Sequence, residues 1–424
     1  MEEKIIHDPV HGSLKLDALC LSLLSTTEVQ RLSQIKQLGM AYLVFPGANH
    51  TRLEHSLGAC HLAHLIGKEL GLPQEDVNTV KAAALLHDIG HLPFSHVFES
   101  VVHRHTGKSH VDIGAEIVRG RYCGESGGNI PTILAEHGVE AEVVARLLKG
   151  GGQQTTLYDF PYPPAEASDN EKPHLAQIIH GCVDVDQMDY LVRDAHYTGV
   201  AHGSIDLERL ILTLRMHKGR IAVDVKGVSA VEGMLVARSL MYSAVYLHKT
   251  VCIAGLMLSN AVEQEGTDFF EMWRMNDCAL LSLLKNGNKY QQDIYQRLMG
   301  RRLFKAAIMK KREELNEEQR KALIDLAKPE RRREVEASIA DRAGVPEGYV
   351  LINIPLPELL FSEPRIFKTE IPILEGAEVK SLLSVSPLAR ALLSRSVSKW
   401  VMMVVCPEKH RERVREIGEK VLFG

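Results

Sequence analysis

Long apolar runs are missing. No segment approaches the roughly 20 apolar residues that a membrane helix needs, so no membrane association is expected. Cysteine is sparse and dispersed. Seven occur in 424 residues, at Cys20, Cys60, Cys123, Cys182, Cys252, Cys278 and Cys406, and no CxxC pair exists. Neither a zinc knuckle nor a disulfide framework is indicated, and reduced thiols in a cytoplasm fit best. An excess of one charge sign is missing too. The net charge is −4, which supplies no basic surface demanding nucleic acid and no polybasic segment for a membrane surface. The opening Met1-Glu2-Glu3-Lys4 lacks the basic-then-apolar layout of a secretory signal, so a cytoplasmic location is expected. No internal repeat or low-complexity tract is found.

What is present is an ordinary globular composition, 45% hydrophobic and 25% charged, on a chain long enough for two or three domains. Residues 4–17 read as a hairpin, with Pro9 and Gly12 bracketing its turn. From Leu19 the spacing turns helical through Ile35, and Gly39 ends that run. Further helices are expected over 54–70 and 76–89, the latter stopped by Gly90 and Pro93. Residues 150–173 carry Gly150, Gly151, Gly152 and Pro161, Pro163, Pro164 and Pro173, and read as a flap loop beside a site. Long helical patterns follow over 174–193 and 228–260, and dense mixed charge marks 300–342 as helical with a solvated face. After Pro346 the runs from Tyr349, Ile366 and Trp400 are β-rich, and a charged helix over 407–421 closes the chain. The expected fold class is therefore mainly α: a helical domain over 1–345 with a short N-terminal β-hairpin, and a small α+β domain over 346–424.

Histidine is the residue in surplus. There are 20, many between residues 50 and 110, and imidazole is both the commonest metal ligand and the usual acid or base near neutral pH. His87 and Asp88 sit side by side at the end of an apolar helix, and on a helix His87, Asp88 and His91 would fall within roughly 100° of one another. Such a cluster can converge on one divalent cation. A lone His-Asp pair is more often an incidental polar helix end. Here Gly90, Pro93 and two further histidines, His91 and His96, weigh against that reading. His55 opens its helix, where a side chain is free to point into a cleft. Asp186, Tyr190 and Asp194 recur at i, i+4 and i+8 in an otherwise apolar stretch, a polar stripe suited to lining a buried cleft. His61 and His64 fall about 240° and 180° around the helix from His55, so they are read as core or surface residues, as are His103 and His105.

The ordered set His55, His87-Asp88, Asp186 resembles the HD superfamily of all-helical metal phosphohydrolases. Gln37-Leu38-Gly39, Phe45-Pro46-Gly47-Ala48, Arg52 through Gly58, His87 through His91, Pro93 through His96, Asp184-Val185-Asp186, Asp189-Tyr190, Arg193-Asp194 and Tyr246 through Lys249 together are similar to the deoxynucleoside triphosphate triphosphohydrolases, the branch of the vertebrate SAM- and HD-domain-containing dNTPase and its prokaryotic relatives. The resemblance is good over about residues 4–260 and loose beyond.

It implies release of intact triphosphate from a dNTP, with a divalent metal (Mn, Mg, Fe or Zn) held by His55, His87, Asp88 and Asp186. Arg52, one turn before His55, would bind phosphate as a forked, permanent cation. His96 would be the general acid for the 5′-oxygen, Glu99 its acidic partner, and His91 and His110 further donors. Gln37 and Asp194 would hold the sugar 3′-hydroxyl, Leu38 and Tyr246 would crowd the 2′ position, and Tyr190 would lie near the sugar. Arg238 would reach phosphate and His248 the base edge. The resemblance also implies a homo-oligomer, tetrameric or larger, with an allosteric nucleotide activator between subunits. Two departures stand out. Gln187 occupies a position that is Lys in the vertebrate branch. Lys4 and Gln30 match the guanine-nucleotide activator site of that branch, but His7, Ser25 and Ser33 replace its Asn, Asp and Arg, so guanine-specific activation is not expected. Two other classes remain open from the sequence: a superfamily nucleotidase or phosphodiesterase acting on another nucleotide, and a non-catalytic nucleotide sensor.

Overall fold

The computed structural model describes residues 3–122, 129–150, 172–263, 268–354, 371–392 and 400–424, and the side chains of His96 and Ser100 lie outside that description. All but the ends of the flap expected over 150–173 also falls outside it.

Strands β1 (Lys4–Asp8) and β2 (Gly12–Leu16) pair antiparallel, from Lys4↔Leu16 to Asp8↔Gly12. The Asp8 carboxylate closes their turn by accepting from the N–H groups of Val10 and His11 at 2.9 and 2.8 Å. Helix α1 (Ala18–Leu24) starts under an Asp17 cap and α2 (Thr27–Arg31) under a Thr26 cap. An extended stretch then runs alongside the entry to the next helix. Gln37 N–H donates to His50 O at 3.0 Å, and Arg52 N–H to Ile35 O at 2.9 Å. These two bonds place Gln37 and Leu38 beside the start of α3 (Arg52–Glu69).

Helix α4 (Gln74–Leu86) packs along α3 and is buried on every side near its end, with Ala82, Ala83, Ala84, Leu85 and Leu86 all 0–1% exposed. A helix apolar all round belongs at the centre of a core, and truncating Leu85 there costs about 2–5 kcal/mol. The expected helix over 76–89 ends three residues early. His87 is its C-cap, and turn bonds from Ile89 N–H to Leu86 O and from His91 N–H to Asp88 O carry the chain away. That turn packs on the helix His110–Val118, so a Cβ at Gly90 would lie 2.0 Å from His110 O and 2.4 Å from Gly114 N. Helices α5 (Glu99–Thr106), α6 (His110–Val118), α7 (Ile130–Glu136) and α8 (Ala141–Leu148) follow.

The pattern expected as one helix over 174–193 is two, α9 (Pro173–His180) and α10 (Val185–Thr198). Gly181 breaks it in extended geometry, and Asp184 caps the new start by accepting from Gln187 N–H at 2.8 Å. After α11 (Leu207–Leu212), strands β3 (Leu214–His217) and β4 (Arg220–Asp224) form a hairpin too short for its alternation to stand out in sequence. The helix expected over 228–260 is likewise interrupted. α12 (Val228–Met241) passes into a π-turn at Tyr242–Tyr246 before α13 (Lys249–Val262). Then come α14 (Asp277–Asn286), α15 (Lys289–Met299), β5 (Lys305–Lys310), α16 (Glu317–Asp325), α17 (Pro329–Ala343), β6 (Leu351–Asn353), β7 (Pro372–Glu375), β8 (Glu378–Ser381), α18 (Leu382–Val385), α19 (Pro387–Leu392), β9 (Met402–Cys406) and α20 (Arg411–Phe423). β5 corrects the all-helical expectation for 300–342.

The chain divides into two compact units. The first comprises residues 1–241, 268–280 and 365–393; its sheets are the N-terminal hairpin and a four-stranded sheet in the order β3-β4-β7-β8. The second comprises residues 242–267, 281–364 and 394–424, built around the three-stranded sheet β5-β9-β6. The central strand β9 is buried throughout, which suits its unbroken apolar run Met402 to Cys406. The units interleave along the chain, so they do not part at the compositional change after Pro346. No single helix among the described residues is long and apolar enough to cross a membrane.

Candidate metal centre

Three elements of the first unit converge: the first turn of α3, the turn after α4, and the first turn of α10. Glu54 anchors the α3 start by accepting from Thr51 N–H at 2.6 Å, which presents His55 from a fixed helix end. His55 Nε2 lies 3.1 Å from His87 Nε2, 3.6 Å from Asp88 Oδ2 and 3.1 Å from Asp186 Oδ1. His87 Nε2 lies 3.3 Å from Asp88 Oδ1 and 3.8 Å from Asp186 Oδ1. His55, His87 and Asp88 are buried and offer ligand atoms within 4.8 Å of one another. Asp186 is the open side of the cluster, its side chain 39% exposed.

The other ring nitrogens are already committed. His55 Nδ1 donates to Asp189 Oδ2 at 2.7 Å, and His87 Nδ1 donates to Ala84 O at 2.7 Å. Both Nε2 atoms are therefore the ones left to face inward, where a cation displaces any proton and takes the lone pair, the arrangement by which outer partners orient metal-bound histidines. Two neutral imidazoles and two carboxylates on one point are a donor set that fits a divalent transition metal or a harder cation such as Mg²⁺ or Mn²⁺. The electrostatics agree. Burial alone would favour neutral His55, but its bonds to Asp186 and Asp189 outweigh that and push its pKa up to about 10; the surrounding anions call for a cation. Burial also disfavours the Asp88 charge, yet Arg52, His87 and His91 hold that carboxyl well below the usual carboxylate range.

Arg52 lies in the centre, 3% exposed, with Nη1 2.6 Å from Asp88 Oδ2 and Nε donating to Ser95 Oγ at 2.9 Å. His91 Nε2 is 3.2 Å from Asp88 Oδ1. The His110 ring stacks on His91 at 4.0 Å, and its Nδ1 bonds the Glu99 carboxylate. Burial, then the charges of Arg52 and His110, hold His91 well below the ordinary histidine pKa, so His91 is neutral at pH 7. His96 stands on the short helical turn Ser95–Phe98, its side chain outside the described set. Phe94 and Ser95 before it hold φ of 53° and 57°, a left-handed pair unusual for non-glycine residues. Asp277 fixes that turn by accepting from Phe94 N–H at 2.6 Å.

The other sequence candidates distribute as follows. Gln37 is 7% exposed, and its Oε1 is buried without a hydrogen-bond partner among the described residues. Leu38 is half-buried beside it. Tyr190 sits one turn after Asp186 on α10, half-buried. Asp194 is buried and accepts from His50 Nε2 at 2.7 Å. Arg238 Nη1 donates to Gln187 Oε1 at 2.5 Å, while Gln187 Nε2 donates to Asp184 Oδ2 at 2.8 Å. Gln187, where the vertebrate branch has Lys, thus braces Arg238. Tyr246 and His248 belong to the second unit; Tyr246 meets Tyr242 edge-on, and His248 Nδ1 accepts from Thr250 N–H to cap α13. Sequence reasoning gave no role to Asp189 or Arg193 and did not reach Asp8, His11 or His50. Two signals were available for Asp189 and Arg193: their place in the motifs that carry the resemblance, and their i, i+4 spacing amid apolar residues.

Two family descriptions cover most of the chain, the HD domain over residues 52–194 and the HD associated region over residues 205–423. This chain belongs to the HD-domain family. The HD protein is 32% identical over 98% of its length to an uncharacterized protein of Methanocaldococcus jannaschii, of which it covers 81%. It is 36% identical over 62% of its length to the uncharacterized protein YwfO of Bacillus subtilis, covering 56% of it. It is 32% identical over 61% of its length to human deoxynucleoside triphosphate triphosphohydrolase SAMHD1, covering 44% of that chain. The HD protein thus spans about half the length of the latter two. Among solved structures it is similar to a hypothetical protein from Aquifex aeolicus, with TM-score 0.75, 29% identity and coverage of 98% and 100% of the two chains. A phosphohydrolase from Bacteroides thetaiotaomicron matches with TM-score 0.69, 25% identity and coverage of 96% and 100%. The HD domain is a metal-binding phosphohydrolase fold, and the His55, His87 and Asp88 cluster is where this chain could hold the ion.

Proposed function

We propose that the chain is a divalent-metal-dependent dNTP triphosphohydrolase that yields deoxynucleoside and inorganic triphosphate. The observation that carries the reading is the inward convergence of His55 Nε2, His87 Nε2, Asp88 and Asp186, with both Nδ1 atoms fixed from behind. These four residues would hold Mn, Mg, Fe or Zn. When bound, such an ion polarises a phosphate oxygen and lowers the pKa of water at neutral pH.

The chain's own residues supply the rest. Arg52 places a permanent positive charge beside Asp88, where it both restrains the carboxylate and offers a cation to phosphate. His91 stacks on His110, whose Nδ1 is bonded to Glu99, so these imidazoles stand together as the further donors that the resemblance adds for the leaving 5′-oxygen. His96 is the general acid that the family resemblance names. Buried Gln37 Oε1 is an acceptor suited to a sugar hydroxyl, with Asp194 and Tyr190 following on α10. Leu38 presents apolar surface to the 2′ position, where a buried unsatisfied hydroxyl costs about 1–3 kcal/mol. The roles of Arg238 in binding phosphate, and of Tyr246 and His248 in the second unit, rest on the resemblance. So do a homo-oligomer of four or more copies and a nucleotide activator between them.

The test is chromatography of products from a panel of dNTPs and NTPs with Mn²⁺, Mg²⁺ or Fe²⁺. Inorganic triphosphate and deoxynucleoside are expected, with NTPs about one to two decades slower given that steric cost. Pyrophosphate, monophosphate or cyclic-nucleotide chemistry would instead assign the centre to a nucleotidase or phosphodiesterase. No product with any metal would leave a nucleotide sensor. Sedimentation at the mass of one chain, with and without nucleotide, would remove the oligomer.

A further inference from the structure

The turn joining β1 to β2 reaches the metal centre through one buried carboxylate. Asp189, 0% exposed, uses both oxygens fully. Oδ2 accepts from His55 Nδ1 at 2.7 Å and from Arg193 Nε at 2.8 Å. Oδ1 accepts from Arg193 Nη2 at 2.9 Å and from His11 Nε2, at the tip of the hairpin, at 2.6 Å. The His11 side chain is 5% exposed. Its backbone N–H is held by Asp8 Oδ1, and Asp8 Oδ2 accepts from Arg193 Nη1 at 2.8 Å. Asp8, His11, Asp189 and Arg193 thus close a ring of bonds 178 residues apart in sequence. A Cβ at Gly58 would lie 1.8 Å from the same Oδ1, so the α3 backbone comes close to it as well. With His11 in place, each oxygen of the carboxylate is held by two donors.

We propose that His11 is a positioning residue for His55: by pinning Asp189, the hairpin turn sets the affinity of the His55, His87, Asp88 and Asp186 centre for its metal. The inference rests on reading that cluster as a metal centre. Loss of His11 acts in two directions. It removes a donor from Asp189, which makes the carboxylate a stronger acceptor and His55 a more basic ligand. It also opens space beside Oδ1, so that Asp189 and the imidazole it aims are less well fixed. Ligand distances must hold within about 0.2 Å, so the loss of aim dominates and the metal binds more weakly. Partners that orient metal-bound histidines are worth about 10–100-fold in affinity. His11, one bond further out, falls at the low end, near tenfold.

The experiment is Mn²⁺ affinity, by competition with a fluorescent chelator, for the full chain and for His11→Ala and His11→Gln, beside the thermal midpoint of each metal-free protein. His11→Ala should weaken Mn²⁺ binding about tenfold, and His11→Gln, whose amide N–H reaches Asp189, should recover most of it. Should the alanine variant fail to fold, His11→Asn, with a shorter amide, carries the same comparison. Lower midpoints with Mn²⁺ affinity equal to or tighter than the parent's overturn the inference, since a purely structural residue would give that result. A parent that binds no divalent cation overturns both this inference and the metal-centre reading. A parent that binds while the variants bind equally well overturns this one alone.

Discussion

Arg52 Nη1 and Asp88 Oδ2 lie 2.6 Å apart with only 4% of either side chain exposed. A buried pair of this kind is expensive to break from one side, about 3–5 kcal/mol, because the survivor is a buried, unpaired charge. Arg52→Ala should therefore destabilise the metal-free protein strongly as well as abolish turnover. A bound divalent ion next to Asp88 would take over part of the guanidinium's role. The drop in thermal midpoint should accordingly be smaller in Mn²⁺ than in EDTA. Equal drops in both would separate Arg52 from the metal centre.

Two glycines on helices should respond in opposite directions. Gly58 on α3 has no room for a Cβ, which would meet Asp189 Oδ1 at 1.8 Å and Arg193 Nη2 at 2.5 Å. Gly58→Ala forces apart a saturated, buried ion pair, and overpacking of this kind costs about 1–3 kcal/mol or more. Gly233 on α12 is exposed and meets nothing within 4 Å. Gly233→Ala should stabilise the protein by about 0.5–1 kcal/mol, because alanine loses less backbone freedom in a helix. Denaturant midpoints of the two variants against the parent decide this; a neutral Gly58→Ala would mean that the carboxylate is free to move.

Much of this site could be read from neighbouring residues in sequence. His87-Asp88 declares itself because a histidine and a carboxylate end an apolar helix, and Gly90 and Pro93 follow at once. Asp186 shows through its spacing to Tyr190 and Asp194. The residues behind them stay hidden for a physical reason. His11 and Asp189 are meaningless apart, and only the tertiary path of the hairpin turn brings them to 2.6 Å. The helix boundaries show the same limit. The patterns over 174–193 and 228–260 keep their apolar spacing through Gly181 and through the π-turn at Tyr242–Tyr246. There, hydrogen bonding and caps decide where the helix stops, whereas periodicity registers only which face is buried.

Glu336, on α17 in the second unit, should make stability depend on pH. Burial pushes its carboxyl up to about 7 from an ordinary 4.5, against the opposing pull of Ile352 N–H, Arg332 and Arg333 and with the reinforcement of Glu263. The folded state thus keeps a proton that the unfolded chain releases. Its contribution is full below pH 4.5, declines as pH rises to 7 and is gone above it, a change of at most about 3 kcal/mol. Glu336→Gln keeps the acceptor for Ile352 N–H, 2.6 Å from Oε1, and removes the titration. The variant's denaturant midpoint should be flatter than the parent's between pH 5 and 7 and higher at pH 8. Parallel profiles would show that Glu336 ionises at little cost in the fold.

Asp186 is the exposed member of the centre, its side chain 39% open where His55 and His87 are 0% and 7%. Exposure makes it the residue whose charge is easiest to remove without damaging the core, so Asp186→Asn isolates its role as a ligand. Metal that binds only the folded protein stabilises it by RT ln(1 + [L]/Kd), about 2.7 kcal/mol at a hundred times Kd. Losing one of two inward carboxylates should raise Kd at least a hundredfold. At the same metal concentration about 0.4 kcal/mol then remains, which is RT ln 2. The increase in thermal midpoint on adding Mn²⁺ should therefore be clear in the parent and nearly absent in the variant, and elemental analysis should find the variant depleted after dialysis. In the metal-free state the substitution also takes the negative charge out of the first of the bonds that push His55 up to about 10. Less proton competition then works against the weakening, so the measured loss is a lower bound on the charge effect. A full Mn²⁺-linked midpoint shift in Asp186→Asn would leave His55, His87 and Asp88 to hold the ion without it.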